Sequence, residues 1–275
     1  MIIARLNQNS RAMPGSGLPF YPAALTPQAL ETKQYYDFIC PMVDGISFQV
    51  GLPPGTFTSA AIRRYNVGVS SSIPINVAVY SFAGMDIISW DGQGHNFPSS
   101  GAFFVRINAQ GTLYESEVFE VANLLTQVEA CGVLVPEPII EIRWEDTKRW
   151  VGGAYYHEGY VNRAWVRAKL SRTKFQYEEE VEKDGFGRSI PVLQVTNDIY
   201  SFDVYGSDSL LLMLQRIAHH DTISIRNEQS DQFFPIHDVR VADTGAKSNK
   251  YAVFEVSFKS GGSVESTSYD FDTFQ

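Results

Sequence analysis

Between Val161 and Glu182 the chain changes side-chain character at every second residue. Ala164, Val166, Ala168 and Leu170 alternate with Arg163, Trp165, Arg167 and Lys169. Further on, Phe175, Tyr177 and Val181 share a phase with Glu179, against Lys174, Gln176, Glu178, Glu180 and Glu182. A β-strand sends successive side chains to opposite faces, whereas a helix would scatter such a pattern around its axis. The alternation therefore predicts two strands joined by a short turn at Ser171–Thr173 and paired as a hairpin. In that hairpin the basic row (Arg167, Lys169) meets the acidic row (Glu178, Glu180). Each such cross-strand pair contributes about 0.2–1 kcal/mol, so both charge runs read as solvated, mutually paired faces.

Strand patterning extends over most of the chain. Ile75, Val77 and Val79 alternate with polar or small neighbours, Phe103, Val105 and Ile107 share one face, and Leu113–Val121 reads as another strand. Turn clusters separate them: Gly51–Gly55, Asp91–Gly94 and Asn108–Gly111. Such spacing predicts an antiparallel sandwich. Residues 1–34 read as an extended arm broken by Pro14–Pro22, and Val135-Pro-Glu-Pro138 marks a stiff connection. The expected division is an arm (1–34), a β-sandwich domain (35–138), a β domain with one helix (139–259) and a flexible tail (260–275). In the second domain Lys183–Arg188 forms a turn, and Tyr200, Phe202 and Val204 share a face of a long strand. A helix follows over 207–219, capped by Ser207 or Asp208, with a stripe of Leu210, Leu211, Leu214, Ile217 and Ala218. Strands at 222–226, 233–241 and 251–259 complete it. The fold class is mainly β: two antiparallel β-sandwich-like domains, the second carrying one packed helix.

Composition agrees and excludes several functions. Aromatic residues reach 13%, as strand-rich proteins favour. The net charge of −9 is spread over both halves, and no basic patch is present to bind a polyphosphate, so no nucleic-acid partner is expected. No apolar stretch reaches membrane-spanning length, so membrane insertion is not expected. The N-terminus lacks the charge order and apolar run of a secretion signal, which predicts synthesis in a reducing cytoplasm. Cys40 and Cys131 form no C-x-x-C pair; they read as buried free thiols, with one disulfide as the alternative.

The motifs offer no catalytic constellation, metal site or cofactor. The carboxylates of Glu178–Glu182 with Asp184 lie along one strand, in like environments that would not separate their pKa values. His219-His220-Asp221 ends the helix, where adjacent residues diverge too far to share a metal and a histidine caps favourably. Asp91-Gly-Gln-Gly-His95 lacks the spacing of a calcium loop and reads as a turn. Trp144, Trp150, Tyr155, Tyr156, Tyr160 and Trp165 form the main aromatic concentration. They suit a subunit interface better than the alternative, a glycan-stacking platform.

The order Ile140-Glu-Ile-Arg-Trp-Glu145, Gly152-Gly-Ala-Tyr-Tyr156, Gly159–Trp165 and Tyr177-Glu-Glu-Glu180, then Tyr200-Ser-Phe and His220–Ile225, is distinctive. With Phe103-Phe-Val and Gly111–Phe119 before it, it resembles minor structural proteins of tailed phages and prophages of Bacteroidetes hosts, over about residues 60–260. The resemblance implies a virion tail or tail-tip component, a ring-forming hub or adaptor comparable to distal tail proteins, with a tail-tube-like fold. It implies partners that are copies of the chain and other tail proteins. A carbohydrate- or host-receptor-binding module of the tail is the alternative.

Overall fold

The fold, obtained as a computed structural model, is described for residues 18, 20–23, 36–65, 72–122, 127–130, 133–136, 139–148, 150–151, 154–155, 160–183, 185–227, 232–248 and 251–265. The first half holds β1 (Phe20–Pro22), β2 (Phe38–Pro41), β3 (Phe48–Leu52), β4 (Phe57–Arg64), β5 (Ser72–Pro74), β6 (Ala78–Phe82), β7 (Met85–Trp90), β8 (Gly101–Ala109), β9 (Thr112–Ser116), β10 (Phe119–Ala122), β11 (Gln127–Ala130) and β12 (Val133–Pro136). Then come β13 (Ile139–Glu145), β14 (Trp150–Val151), β15 (Ala154–Tyr155), β16 (Asn162–Arg167), β17 (Ser171–Lys183) and β18 (Ser189–Gly206). Helix α1 (Asp208–Ile217), β19 (Thr222–Asn227), β20 (Phe234–Ser248) and β21 (Tyr251–Glu265) close the chain. The protein is mainly β and sandwich-like, with one helix among the described residues.

One large sheet organises these strands. Its edge at one side is the short β5 beside β4, which pairs with β8. The other side of β8 receives β9 and β10 in succession, and these pair outward with β1 and β2. Then follow β16, β13, β19, β20, β21, β18 and finally β17. A second sheet, β3-β7-β6, is separate, as are the small ladders β11-β12 and β14-β15. Tight turns close two of the hairpins: Ala83 and Gly84 (φ 49° and 77°), and Gln110 and Gly111 (φ 47° and 84°). Both central residues with positive φ give the primed turn whose twist matches antiparallel strands.

The expected boundary at residue 138 separates no two cores. Strand β2 pairs with β10 from the first half and, through Ile39 and Trp165, with β16 from the second. One buried apolar cluster runs from Leu18 through Phe48 and Trp144 to Phe258. The β10–β2 pair is also parallel, in a sheet expected to be antiparallel throughout. The anticipated arm is partly structured: Phe20–Pro22 adds to β9, and Leu18 and Phe20 are fully buried, with the Phe20 ring 5.1 Å from that of Phe48. At the other end β21 continues to Glu265, into the segment expected to be tail.

Local expectations fare unevenly. Phe103, Val105 and Ile107 are buried as their phase requires, and so are Phe254, Val256 and Phe258. The expected strand through Ile75, Val77 and Val79 is interrupted, because Ile75 turns into the core while Val79 sits in β6 and is exposed. Helix α1 buries Leu210, Met213, Leu214 and Ile217 against β18, β20 and β21, the i, i+3, i+4, i+7 set of an amphipathic helix. Leu211 and Ala218 lie off that stripe. Ser207 takes the N-cap position in extended conformation but makes no side-chain capping bond.

Phe48 joins the aromatic contacts of both sheets, with Phe20 on one side and Trp90 at 5.7 Å on the other. Its truncation to alanine opens a cavity in the interior, and we expect a loss of about 3–5 kcal/mol in chemical denaturation.

Candidate functional site: the charged face of the central strands

Strand β13 carries two chemistries in alternation. Ile140, Ile142 and Trp144 belong to the core, whereas Glu141 and Arg143 point to the opposite face. The register places Glu141 between Trp165 of β16 and Arg226 of β19, and Arg143 between Arg163 and Ser224. Residues directly opposite in a ladder share a face, so Arg143, Arg163 and Arg226 lie on the same face of the sheet as Glu141. Glu141, 3% exposed, accepts a hydrogen bond from Arg143 Nε at 2.7 Å and another from Arg226 Nη2. The ring of Phe233 stacks on both guanidinium groups, its centroid 3.8 Å from Arg143 Cζ and 4.8 Å from Arg226 Cζ.

Arg163 is buried deeper and held from a different direction. Its backbone N–H donates to Ser47 Oγ at 2.7 Å, and that hydroxyl donates back to the Arg163 carbonyl at 3.2 Å. Its guanidinium lies 3.5 Å from Asp44, which also accepts from the Gly94 N–H at 2.9 Å. Burial, and the neighbouring Arg143, hold Arg163 below its ordinary pKa, while Glu141, Asp44 and Asp91 pull upward. The turn expected at Asp91–His95 is present, and it packs onto this corner. The carbonyl of Gly92 (φ 69°) accepts from the Gly45 N–H at 2.6 Å, and a Cβ at Gly92 would sit 2.3 Å from the Gly45 oxygen.

At the far end of β13, Asp221 ties the following loop to the end of α1. It accepts from the Thr147 N–H and hydroxyl, and that hydroxyl bond holds its carboxyl below the usual range. His220 is 6% exposed, edge-on to Trp144 at 6.3 Å, with Nδ1 3.0 Å from the Arg216 carbonyl and 3.3 Å from that of Ile217. The neutral ring donates Nδ1–H to the helix's last carbonyls, which is the capping role expected for it. No group of three or more metal-binding side chains occurs among the described residues.

Of the anticipated aromatic set, the side chains that are described do not lie on the surface. Trp144, Tyr160 and Trp165 are buried at 1–4% exposure, because β13 and β16 lie inside the sheet rather than at a rim. Trp150 and Tyr155 are register partners across β14–β15, and their side chains, like Tyr156 altogether, lie outside the described residues. The anticipated hairpin of residues 163–182 does not form either. Both edges of β16 are taken, by β13 and β2, and β17 turns instead onto β18. Arg167 therefore pairs with Glu120 at 2.9 Å, and Lys169 is exposed between strands. Glu178 and Glu180 stand opposite Val195 and Leu193. Between β2, β16, β18 and α1 is a cavity of about 40 Å³, room for one water. Cys40 is buried and unpaired, its thiol pushed up by burial; Cys131 lies outside the described residues.

With Glu141 accepting from Arg143 of its own strand and Arg226 of β19, the cluster acts as an electrostatic clamp between β13 and β19. The Glu141→Gln variant leaves Arg143 and Arg226 facing a neutral amide, and we expect a cost of about 2–3 kcal/mol, moderated by their partial access to water. His220 supplies a pH signature. Burial sets its folded pKa below the ordinary 6.5, so on acidification the unfolded chain takes up a proton first. Its stabilising contribution is whole above about pH 6.5 and drains away below it; His95 is shifted in the same direction by burial. Urea midpoints should fall between about pH 7 and 5, and less steeply in His220→Gln. No family model, curated protein or solved structure matches the chain.

Proposed function

We propose that the chain is a structural, non-enzymatic subunit of a homo-oligomeric ring, as in the tail or tail tip of a bacteriophage virion. Its partners on this reading are copies of itself and neighbouring tail proteins. The observation that carries it is the projecting end of the β17–β18 hairpin. Beyond Gln194, which pairs with Glu265 at the end of β21, the two strands have only each other as ladder partners among the described residues. The tip at residues 185–189 is exposed, and Phe186 at its apex is 87% exposed. A two-stranded ribbon with a bulky apolar tip is costly to hold in water and is suited to seating in a neighbouring subunit. Head-to-tail contacts of that kind form rings when the rotation between subunits closes.

The charged clamp supports the same reading, since its carboxylate is engaged in holding strands together. The glycan-binding alternative loses Trp144, Tyr160 and Trp165, which are buried. None of the helices among the described residues is long and apolar enough to cross a membrane.

Light scattering and negative-stain microscopy of the purified chain are expected to reveal a ring-sized species. Phe186→Asp should shift it to small species while leaving the circular dichroism spectrum unchanged. A wild-type monomer that binds glycans would sink the proposal.

A further inference from the structure

We propose that the outer edge of β17 is a two-fold interface, at which two copies of the chain pair antiparallel through residues 174–180 with Tyr177 on the axis. The large sheet ends on β17, and among the described residues its only ladder partner is β18. At the opposite end of the sheet, β5 is three residues long and ends in Pro74, the blunt edge that discourages strand addition. Strand β17 has thirteen residues and no proline. A long edge with unanswered backbone groups is a template for another strand.

Register and charge specify which strand. The pairing with β18 is irregular between Arg172 and Lys174 and again between Glu180 and Val181. The straight run between those irregularities is Lys174–Glu180, and its midpoint is Tyr177. Basic residues (Arg172, Lys174) occupy the N-terminal side of that midpoint, and Glu178, Glu179, Glu180 and Glu182 the C-terminal side. In the register with β18 these charges stand opposite uncharged residues: Lys174 opposite Ile199, Glu178 opposite Val195, Glu179 opposite Gln194 and Glu180 opposite Leu193. A second β17, reversed about Tyr177, answers them. Each Lys174 then meets the other copy's Glu180, and each Gln176 meets Glu178. Opposite charges placed directly across a ladder attract, and like charges repel. A parallel, in-register pairing would set lysine on lysine and three glutamates on three glutamates. The strand's charge order thus selects its own antiparallel copy.

This contact is isologous, whereas the ring contact proposed for Phe186 is head-to-tail, so the two are separable. The test uses the full-length chain carrying Phe186→Asp, with dimerisation measured by sedimentation equilibrium. A dimer is expected. Lys174→Glu and Glu180→Lys each should weaken it about tenfold or more, since the two-fold doubles every clash. The Lys174→Glu, Glu180→Lys double variant should return to within about threefold of the parent. In a Cys131→Ser background, Tyr177→Cys should cross-link two copies on mild oxidation, because residues facing each other on the axis lie within disulfide reach. That cross-link decides the matter if a charge variant fails to fold. A monomeric parent, a dimer indifferent to the single reversals, or a swap that does not restore pairing overturns the proposal and assigns the edge to another occupant. If Phe186→Asp fails to alter the wild-type species while the charge swap behaves as stated, the ring reading falls and the two-fold stands.

Discussion

Backbone hydrogen bonding at β2 is what makes the large sheet continuous. All four of its residues are buried, and buried peptide groups require partners on both sides. It finds one in β10 and the other in β16, strands drawn from opposite halves of the chain. Remove β2 and two separate arrays remain, each with an unanswered edge facing the interior. The segment immediately after β2 supplies Asp44 and Ser47, which grip Arg163 on β16, so strand and loop are secured by the same neighbour.

The charged face of β13 follows from this continuity. Once β16 and β19 flank β13, Glu141 is enclosed, and an enclosed carboxylate requires cations with good geometry. Arg143 from its own strand and Arg226 from β19 supply them. Arg163 then sits beside Arg143 in the ladder, and its charge is answered from outside the sheet by Asp44. The cluster is a consequence of strand order, with each charge placed by the register of its neighbours.

Much of this was legible in the residues. Alternation located most strands, the leucines located α1, and Gly-containing turns located the hairpins at Gln110–Gly111 and Gly185–Gly187. Trp144 shares a phase with Ile140 and Ile142, a signal of burial that could have been read. Strand partnership was not legible. Charge complementarity between residues 163–169 and 174–182 is satisfied equally by a hairpin or by a second molecule, and period two states only that strands exist. Trp165 shares its phase with charged neighbours, and its burial depends on what covers that face, which no local pattern records. The parallel pairing of β2 with β10 likewise depends on which edge is vacant when the chain comes together.

The grip of Ser47 on Arg163 joins residues 116 positions apart. Such a contact cannot form until most of the chain is available, and closing so large a loop costs entropy before any contact rewards it. The local hairpins around β8–β9 and β17–β18 can close early, while the joint at β2 waits. Topology therefore favours a union at β2 that follows the local ribbons. Until that union the edges of β10 and β16 are open, which makes the interval before closure the time when copies mispair.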